Sequence, residues 1–335
     1  MTEKQTTILV TGGTGLVGSA IQWAVQNISG PFGKEQNENW VFLSSKDADL
    51  RNYDETKSVF DKYKPEKVIH LSARVGGVFE NSVRMADFVR DNLYIDQNVL
   101  GVCHELGVCP YLALSALSNE NDSTDIVQVK KVVSCLSTCI FPDRTTYPIN
   151  EDMLHDGPPH PSNYGYAHAK RMIDITSRAY RQQYGCNFTC VIPTNLYGPN
   201  DNFSEGCHFI PGVIKRVTGA KQSNASVMVV PGSGRALRQF LYSRDLARVL
   251  IWTLRSYDEA EPFIVSVDPE QEVSIKDAVT MVLEASGFQG AIQWDTSATD
   301  GQLRKTADNA RMRALLGDFK FTTLEQGMPP FSLPG

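Results

Sequence analysis

The stretch Thr11-Gly12-Gly13-Thr14-Gly15-Leu16-Val17-Gly18 limits what this chain can fold into more than any other. An apolar run, Ile8 to Val10, leads into it, and a helical pattern of Leu16, Ala20, Ile21, Ala24 and Val25 leads out. A strand, a glycine turn and a helix in that order are what a dinucleotide needs. Gly12 permits the tight turn, Gly15 lets a pyrophosphate reach the backbone, and Gly18 lets the helix pack close to the strand. The free N–H groups at the helix start suit phosphate oxygens. Gly13, Thr14, Leu16 and Val17 therefore join the three spaced glycines in a candidate cofactor cradle. The other reading, a plain flexible loop, does not account for the strand before and the helix after.

The alternation continues downstream. Residues 40–45 (WVFLSS) read as a strand, 54–65 as a helix ending at Pro65, and 67–73 as a strand closed by Val75-Gly76-Gly77. Residues 85–107 form a long amphipathic pattern, 129–137 a strand, 162–185 a helix and 187–198 another strand. Strands in buried-looking apolar runs, alternating with helices, predict an α/β fold with a Rossmann-type, doubly wound parallel sheet. A smaller, interleaved C-terminal α/β domain is expected to bind substrate. The division is residues 1–193 plus about 241–268 for the cofactor, and 194–240 with 269–335 for the substrate.

Ligands of such sheets lie outside the carboxyl ends of the strands. Thr11–Gly18, Ser44–Asp47, Val75–Gly77, Ser137–Cys139 and Thr194–Asn195 all follow strand ends, and they are expected to share one crevice. The second strand ends in Ser44-Ser45-Lys46-Asp47. Hydroxyls and a cation suit a 2′-phosphate better than an acid would, so NADP(H) is the expected cofactor. The alternative is that Lys46 is a solvated surface charge.

Composition excludes several classes. The net charge of −6 argues against a general binder of nucleic acid or of anionic membranes. No apolar run approaches the ~20 residues that span a bilayer. The first strand begins within a few residues of Met1, which leaves no room for a signal peptide. The seven cysteines form no C-x-x-C pair and no metal-like spacing with the six histidines. Reduced thiols, a cytoplasmic location and no metal are the expectation.

Tyr166-Ala167-His168-Ala169-Lys170 puts a phenol and an ammonium on one helix face. An ammonium neighbour is expected to lower the phenol pKa from its usual value of about 10. Ser137, one strand away, can hold a substrate oxygen beside Tyr166. With "STCIFP", "PSNYGYAHAKRMID", "QQYGCNFTCVIPTNLYGPNDNF", "HFIPGVIKR" and "DGQLRKTADNARM", nearly the whole chain resembles the extended short-chain dehydrogenases/reductases that act on nucleotide sugars, and among them the 3,5-epimerase-4-reductases.

That resemblance implies an activity and a set of roles. GDP-4-keto-6-deoxy-D-mannose would be inverted at C3 and C5 and then reduced at C4 with NADPH, giving GDP-L-fucose. Cys139 and His208 would be the acid–base pair, Tyr166 the proton donor in reduction, and Ser137 and Lys170 its helpers. Leu136, Pro193, Thr194, Asn195, Leu196 and His208 would add cofactor contacts. Arg216, Arg238 and Asp300 would bind the nucleotide sugar, and the assembly would be a homodimer.

Three features depart from the family. Residues 109–128 are an insert, expected at the amino end of the sheet and able to disturb dimerisation through helix 85–107. The tail "TTLEQGMPPFSLPG" lacks a continuous helix. Pro231 stands where a tryptophan is common. Other readings are another nucleotide-sugar epimerase or dehydratase, a non-catalytic NADP sensor, and an impaired isoform that binds NADP(H) without turnover.

Overall fold

Strand side chains alternate between the two faces of a sheet, and here both faces are apolar. In the computed structural model, which describes residues 5–107, 129–204 and 206–328, Leu9, Val68, Val132 and Ile192 pack into one core layer. Their neighbours Val10, Ile69, Val133 and Val191 pack into the other. Both faces must therefore be covered, and helices cover them.

The strands are β1 (Thr6–Thr11), β2 (Glu38–Phe42), β3 (Lys67–His70), β4 (Lys131–Cys135), β5 (Phe188–Pro193) and β10 (Phe263–Val265). They form one parallel sheet in the order β10-β5-β4-β3-β1-β2. Helix α1 (Leu16–Asn27) and helix α7 (Ser243–Ser256) pack together on one face. Helices α2 (Tyr53–Tyr63), α4 (Met85–Leu106) and α5 (Tyr164–Tyr184) cover the other. Local chemistry sets their ends. Asn52 accepts the Glu55 N–H at the start of α2, and left-handed Gly185 ends α5.

The register aligns the carboxyl ends: Thr11 pairs with His70, His70 with Ser134, and Cys135 with Val191. Beneath this edge lies a buried polar chain. Thr11 Oγ1 accepts the Leu71 and Ser72 N–H groups, each at 3.1 Å, and lies 2.8 Å from His70 Nδ1. Thr11 has one proton to give and donates it to Nδ1. His70 Nε2–H then donates to Asp96 at 3.0 Å.

Two of the expected strands are cut short by a side chain that takes over a backbone N–H. The Asp47 carboxylate accepts from Ser44 N–H at 2.7 Å, so β2 stops at Phe42 and not at Ser45. Ser137 Oγ accepts the Cys139 N–H at 3.4 Å, turning the chain after Cys135 into a 3₁₀ turn at Thr138–Ile140. A short helix, α3 (Val78–Val83), follows Gly77, where the sequence suggested only a turn.

The remaining segments form three two-stranded sheets. Strand β6 (Asn195–Tyr197) pairs with β9 (Phe240–Tyr242), β7 (Val227–Pro231) with β12 (Ala291–Asp295), and β8 (Leu237–Arg238) with β11 (Val273–Ser274). Helices α6 (Phe209–Gln222) and α8 (Ile275–Ser286) pack on them, with α9 (Ala310–Leu316) returning to the main sheet. The described part of the tail forms one capped turn, α10 (Leu324–Gly327), and places Leu324 and Met328 in this core, while 329–335 lie outside the described residues.

The insert at 109–128 lies outside the described residues. On either side of it the Val129 N–H donates to Leu106 O at 3.4 Å. This junction is at the amino end of β4, the end opposite the aligned strand mouths.

Candidate active site

The glycine turn is built by exclusion. A Cβ on Gly13 would stand 2.6 Å from Phe42 Cβ, and one on Gly18 would stand 2.4 Å from Gly12 O. Gly15 differs: a Cβ there would meet only Gly12 O, at 3.4 Å. The protein does not need that space, so the glycine leaves it free for a ligand. Gly18→Ala is expected to cost about 1–3 kcal/mol through forced backbone movement. Melting curves with and without NADPH would show a lower Tm and a smaller shift on binding.

Beside the cradle, the Asp47 carboxylate is occupied by the Ser44 N–H and hydroxyl, both at 2.7 Å. It is held in the turn, while the exposed Lys46 ammonium makes no ion pair among the described residues. Thr194 Oγ1 is buried and has no hydrogen-bond partner among the described residues. Asn195 is engaged, its amide donating to Gln239 O at 3.1 Å. Leu136 and Leu196 pack into the core layers beside β4 and β5, and Pro193 ends β5.

The turn after β4 explains the closeness of a serine and a cysteine. Extended Ser137 caps it, and Cys139 lies within it, half-buried. Helix α5 brings Tyr166 and Lys170 to the same place. Gly165 makes this possible, since a Cβ there would collide with Met85 O at 2.4 Å. Tyr166 packs edge-on against Phe88 with ring centroids 6.3 Å apart. Lys170 Nζ donates to Cys135 O at 3.0 Å.

That bond corrects one expectation. Burial pushes the Tyr166 phenol well above its ordinary value, and Cys139, Cys135 and Asp96 push the same way. Lys170 is committed to a carbonyl and does not lower the phenol in this form of the protein. Burial also pushes the Cys139 thiol up, opposed by Lys305, the Ser137 hydroxyl and Lys170.

His208 precedes α6 as its N-cap residue. Its segment is anchored to the crevice by Gly77 N–H, which donates to Gly206 O at 2.5 Å. Its Nδ1 faces Asp201 Oδ1 at 3.5 Å, an ion pair when the ring is protonated. Arg216 lies two turns along α6, exposed, with Nη1 donating to Gly212 O at 3.1 Å. Arg238 donates to Leu237 O and Gln302 O, both at 2.7 Å, and no carboxylate among the described residues is hydrogen-bonded to it. Asp300 is spent inside the protein: Ser233 N–H and hydroxyl donate to it at 2.6 and 2.7 Å. These bonds hold its carboxyl below the usual range and fix the turn at Gly232–Gly234.

Two residues escaped the sequence reading. Asp201 lies in the quoted "GPNDNF" and Lys305 in "DGQLRKTADNARM". Neither has a spacing that reports its partner, because His208 and Cys139 reach them only through the fold.

The model of the NAD dependent epimerase/dehydratase family matches residues 8–267. The chain belongs to this family. Among its relatives is a GDP-L-fucose synthase of Dictyostelium discoideum, 47% identical over 329 residues, covering 98% of this chain and 94% of that protein. A probable GDP-L-fucose synthase of Drosophila melanogaster is 48% identical over 325 residues, covering 95% and 93%. In three dimensions the chain is similar to a GDP-L-fucose synthetase from Naegleria fowleri bound to NADP. The TM-score is 0.82 at 42% identity, covering 97% of this chain and 93% of that one.

The family's dinucleotide fits the residues present. The space left at Gly15, the unpartnered Thr194 hydroxyl and the uncommitted Lys46 ammonium all lie along the strand mouths where the cofactor of such a sheet binds. No helix among the described residues is long and apolar enough to cross a membrane.

Proposed function

We propose that the protein converts GDP-4-keto-6-deoxy-D-mannose to GDP-L-fucose, inverting C3 and C5 and then reducing C4 with NADPH. One observation carries this reading. A single turn of chain places a reductase-type hydroxyl, Ser137, and a proton-transfer thiol, Cys139, beside the Tyr166–Lys170 pair.

The C3 and C5 protons lie alpha to the C4 carbonyl, so their removal gives an enolate. Inversion needs a base on one face and an acid on the other. Cys139 and His208 take these parts, with Asp201 Oδ1 facing the His208 ring. Bound NADPH supplies the hydride for C4. Tyr166 gives its proton to the C4 oxygen, which Ser137 holds, and Lys170 orients the cofactor ribose. Arg238 and Arg216 offer guanidinium donors for the diphosphate. Asp300 acts by shaping the turn that faces it.

Lys46 favours NADPH over NADH because it is free to meet a 2′-phosphate while Asp47 is tied back. Lys46→Ala is expected to raise the KM for NADPH by roughly tenfold, as the loss of a charge-assisted bond implies. The KM for NADH should move little, and steady-state kinetics with both cofactors would show the difference.

Residues 1–193 with about 241–268 are read as the cofactor domain, interleaved with a substrate domain of 194–240 and 269–335. The free cysteines and NADPH use fit the cytosol. A homodimer is proposed through α4 and α5, which pack together and expose Tyr94, Met172 and Ile175. Light scattering should give twice the 37.1 kDa chain mass. A monomer would show that the insert blocks this face or that the face has another use.

The test of function is turnover of GDP-4-keto-6-deoxy-D-mannose with NADPH in deuterated water. NADPH oxidation with deuterium at C3 and C5 is expected. Reduction without deuterium would mean a simple 4-ketoreductase.

A further inference from the structure

The turn that carries Cys139 is weakly held by its own hydrogen bonds. Ile140 N–H donates to Ser137 O at 3.2 Å and Phe141 N–H to Thr138 O at 3.4 Å. The Cys139 N–H reaches Ser137 Oγ at 3.4 Å. All three lie at or beyond the long end of the usual range. The short bond on this turn comes from helix α5, where Arg171 Nε donates to Ile140 O at 2.5 Å. Ile140 is fully buried, and a buried carbonyl that loses its donor is left unpaired.

Arg171 is a costly donor for that carbonyl. It is 8% exposed, and no carboxylate among the described residues is hydrogen-bonded or ion-paired to it. Its Nη2 is buried with no hydrogen-bond partner among them. Arg178, two turns along the same helix, has the Asp174 carboxylate at 3.0 Å. A guanidinium always carries its charge, and burying one without an anion is unfavourable. Stability alone would be served as well by apolar packing at this position. The bond to Ile140 therefore has a geometric use.

Lys170, the preceding residue, donates to Cys135 O at 3.0 Å. Successive helix residues point about 100° apart. The pair brackets residues 135–140, with Lys170 at the end of β4 and Arg171 at the end of the turn. Ser137 and Cys139 lie between these two anchors, and Tyr166 stands one turn earlier on the same helix. Helix α5 thus ties the thiol-bearing turn to the element that carries the phenol. Lys170 is assigned to the cofactor ribose, so Arg171 is the anchor that the chemistry does not otherwise use.

We infer that Arg171 is a positioning residue for epimerisation, its bond to Ile140 O setting where the Cys139 thiol meets the sugar. This rests on the reading of Cys139 as one of the two proton-transfer groups. The effect is on the position of the thiol, and a misplacement of about 1 Å at a reacting group can lower a rate about 10²-fold.

The experiment is deuterium entry from deuterated water into GDP-4-keto-6-deoxy-D-mannose with NADP+ bound, which allows proton exchange and supplies no hydride. Arg171→Met is expected to lower kcat for this exchange by about 10–100-fold, with KM for the sugar and the affinity for NADPH close to wild type. Arg171→Lys, which keeps a charged donor on a long stem, should recover part of the rate. Iodoacetamide labelling of Cys139, read by mass spectrometry of its peptide, should quicken in Arg171→Met as the turn loosens, while labelling of Cys186 stays as it was. An unchanged kcat in Arg171→Met would overturn the inference. So would a loss of exchange matched by an equal loss of NADPH affinity, the mark of general damage to the fold. If Arg171→Met melts below the working temperature, Arg171→Gln takes its place against Arg171→Lys and is read in the same way. Should Cys139→Ser leave deuterium entry unchanged, the reading of Cys139 fails by itself. Equal labelling of Cys139 in wild type and Arg171→Met would instead show that Arg171 does not hold the turn.

Discussion

Replacing Cys139 by serine is expected to slow deuterium entry at C3 and C5 by about 10²–10⁴-fold, the usual contribution of one general acid or base. The substitution is small and local. Serine fits the 3₁₀ turn at Thr138–Ile140, and the Cys139 N–H bond to Ser137 Oγ does not involve the thiol. The melting temperature and NADPH affinity should therefore stay close to wild type. The measurement is solvent deuterium in recovered substrate and product by mass spectrometry. Undiminished deuterium in Cys139→Ser would move the epimerisation base elsewhere in the crevice.

Tyr166→Phe should produce the complementary defect. It deletes one oxygen and keeps the edge-on packing against Phe88. Hydride transfer to C4 is expected to fall by about 10²–10⁴-fold, while deuterium continues to enter at C3 and C5. Stopped-flow NADPH oxidation reads the first effect and mass analysis the second. The pH dependence has a defined sign. Burial raises the phenol pKa, so Tyr166 remains a proton donor through its ordinary range near 10. Reduction in wild type should show no alkaline fall below that range on account of this group. Deuterium lost together with hydride transfer in Tyr166→Phe would mean that the two steps share the phenol.

What could be read from the sequence follows from how local each signal is. The glycine turn, the apolar strands and the Tyr166–Lys170 pair are spelled out within a few residues of each other. They placed the parallel sheet correctly. Strand ends were harder, because the side chains that end them, Asp47 and Ser137, capture backbone N–H groups in ways that hydrophobic pattern does not report. Helix α3 was invisible since Val75-Gly76-Gly77 reads as a turn, whereas Gly77 serves as its N-cap. The environment of Cys139 was out of reach. Burial raises its thiol, and the opposing charge of Lys305 comes from a distant part of the chain that only folding brings into range.

The ties between 143–149 and 302–308 also set an order of events on the ribosome. The glycine turn packs only on the first strands, which emerge early. The last tie closes when Asp308 reaches Ile149. At about 5–20 residues per second, roughly ten to thirty seconds of synthesis separate the two partners. During that interval a nascent chain already has its glycine turn, while the loop after Cys139 waits for residues 302–308. A chain stopped short of residue 308 would therefore be a different object from a weakened enzyme: its glycine turn complete, the loop after Cys139 still untied.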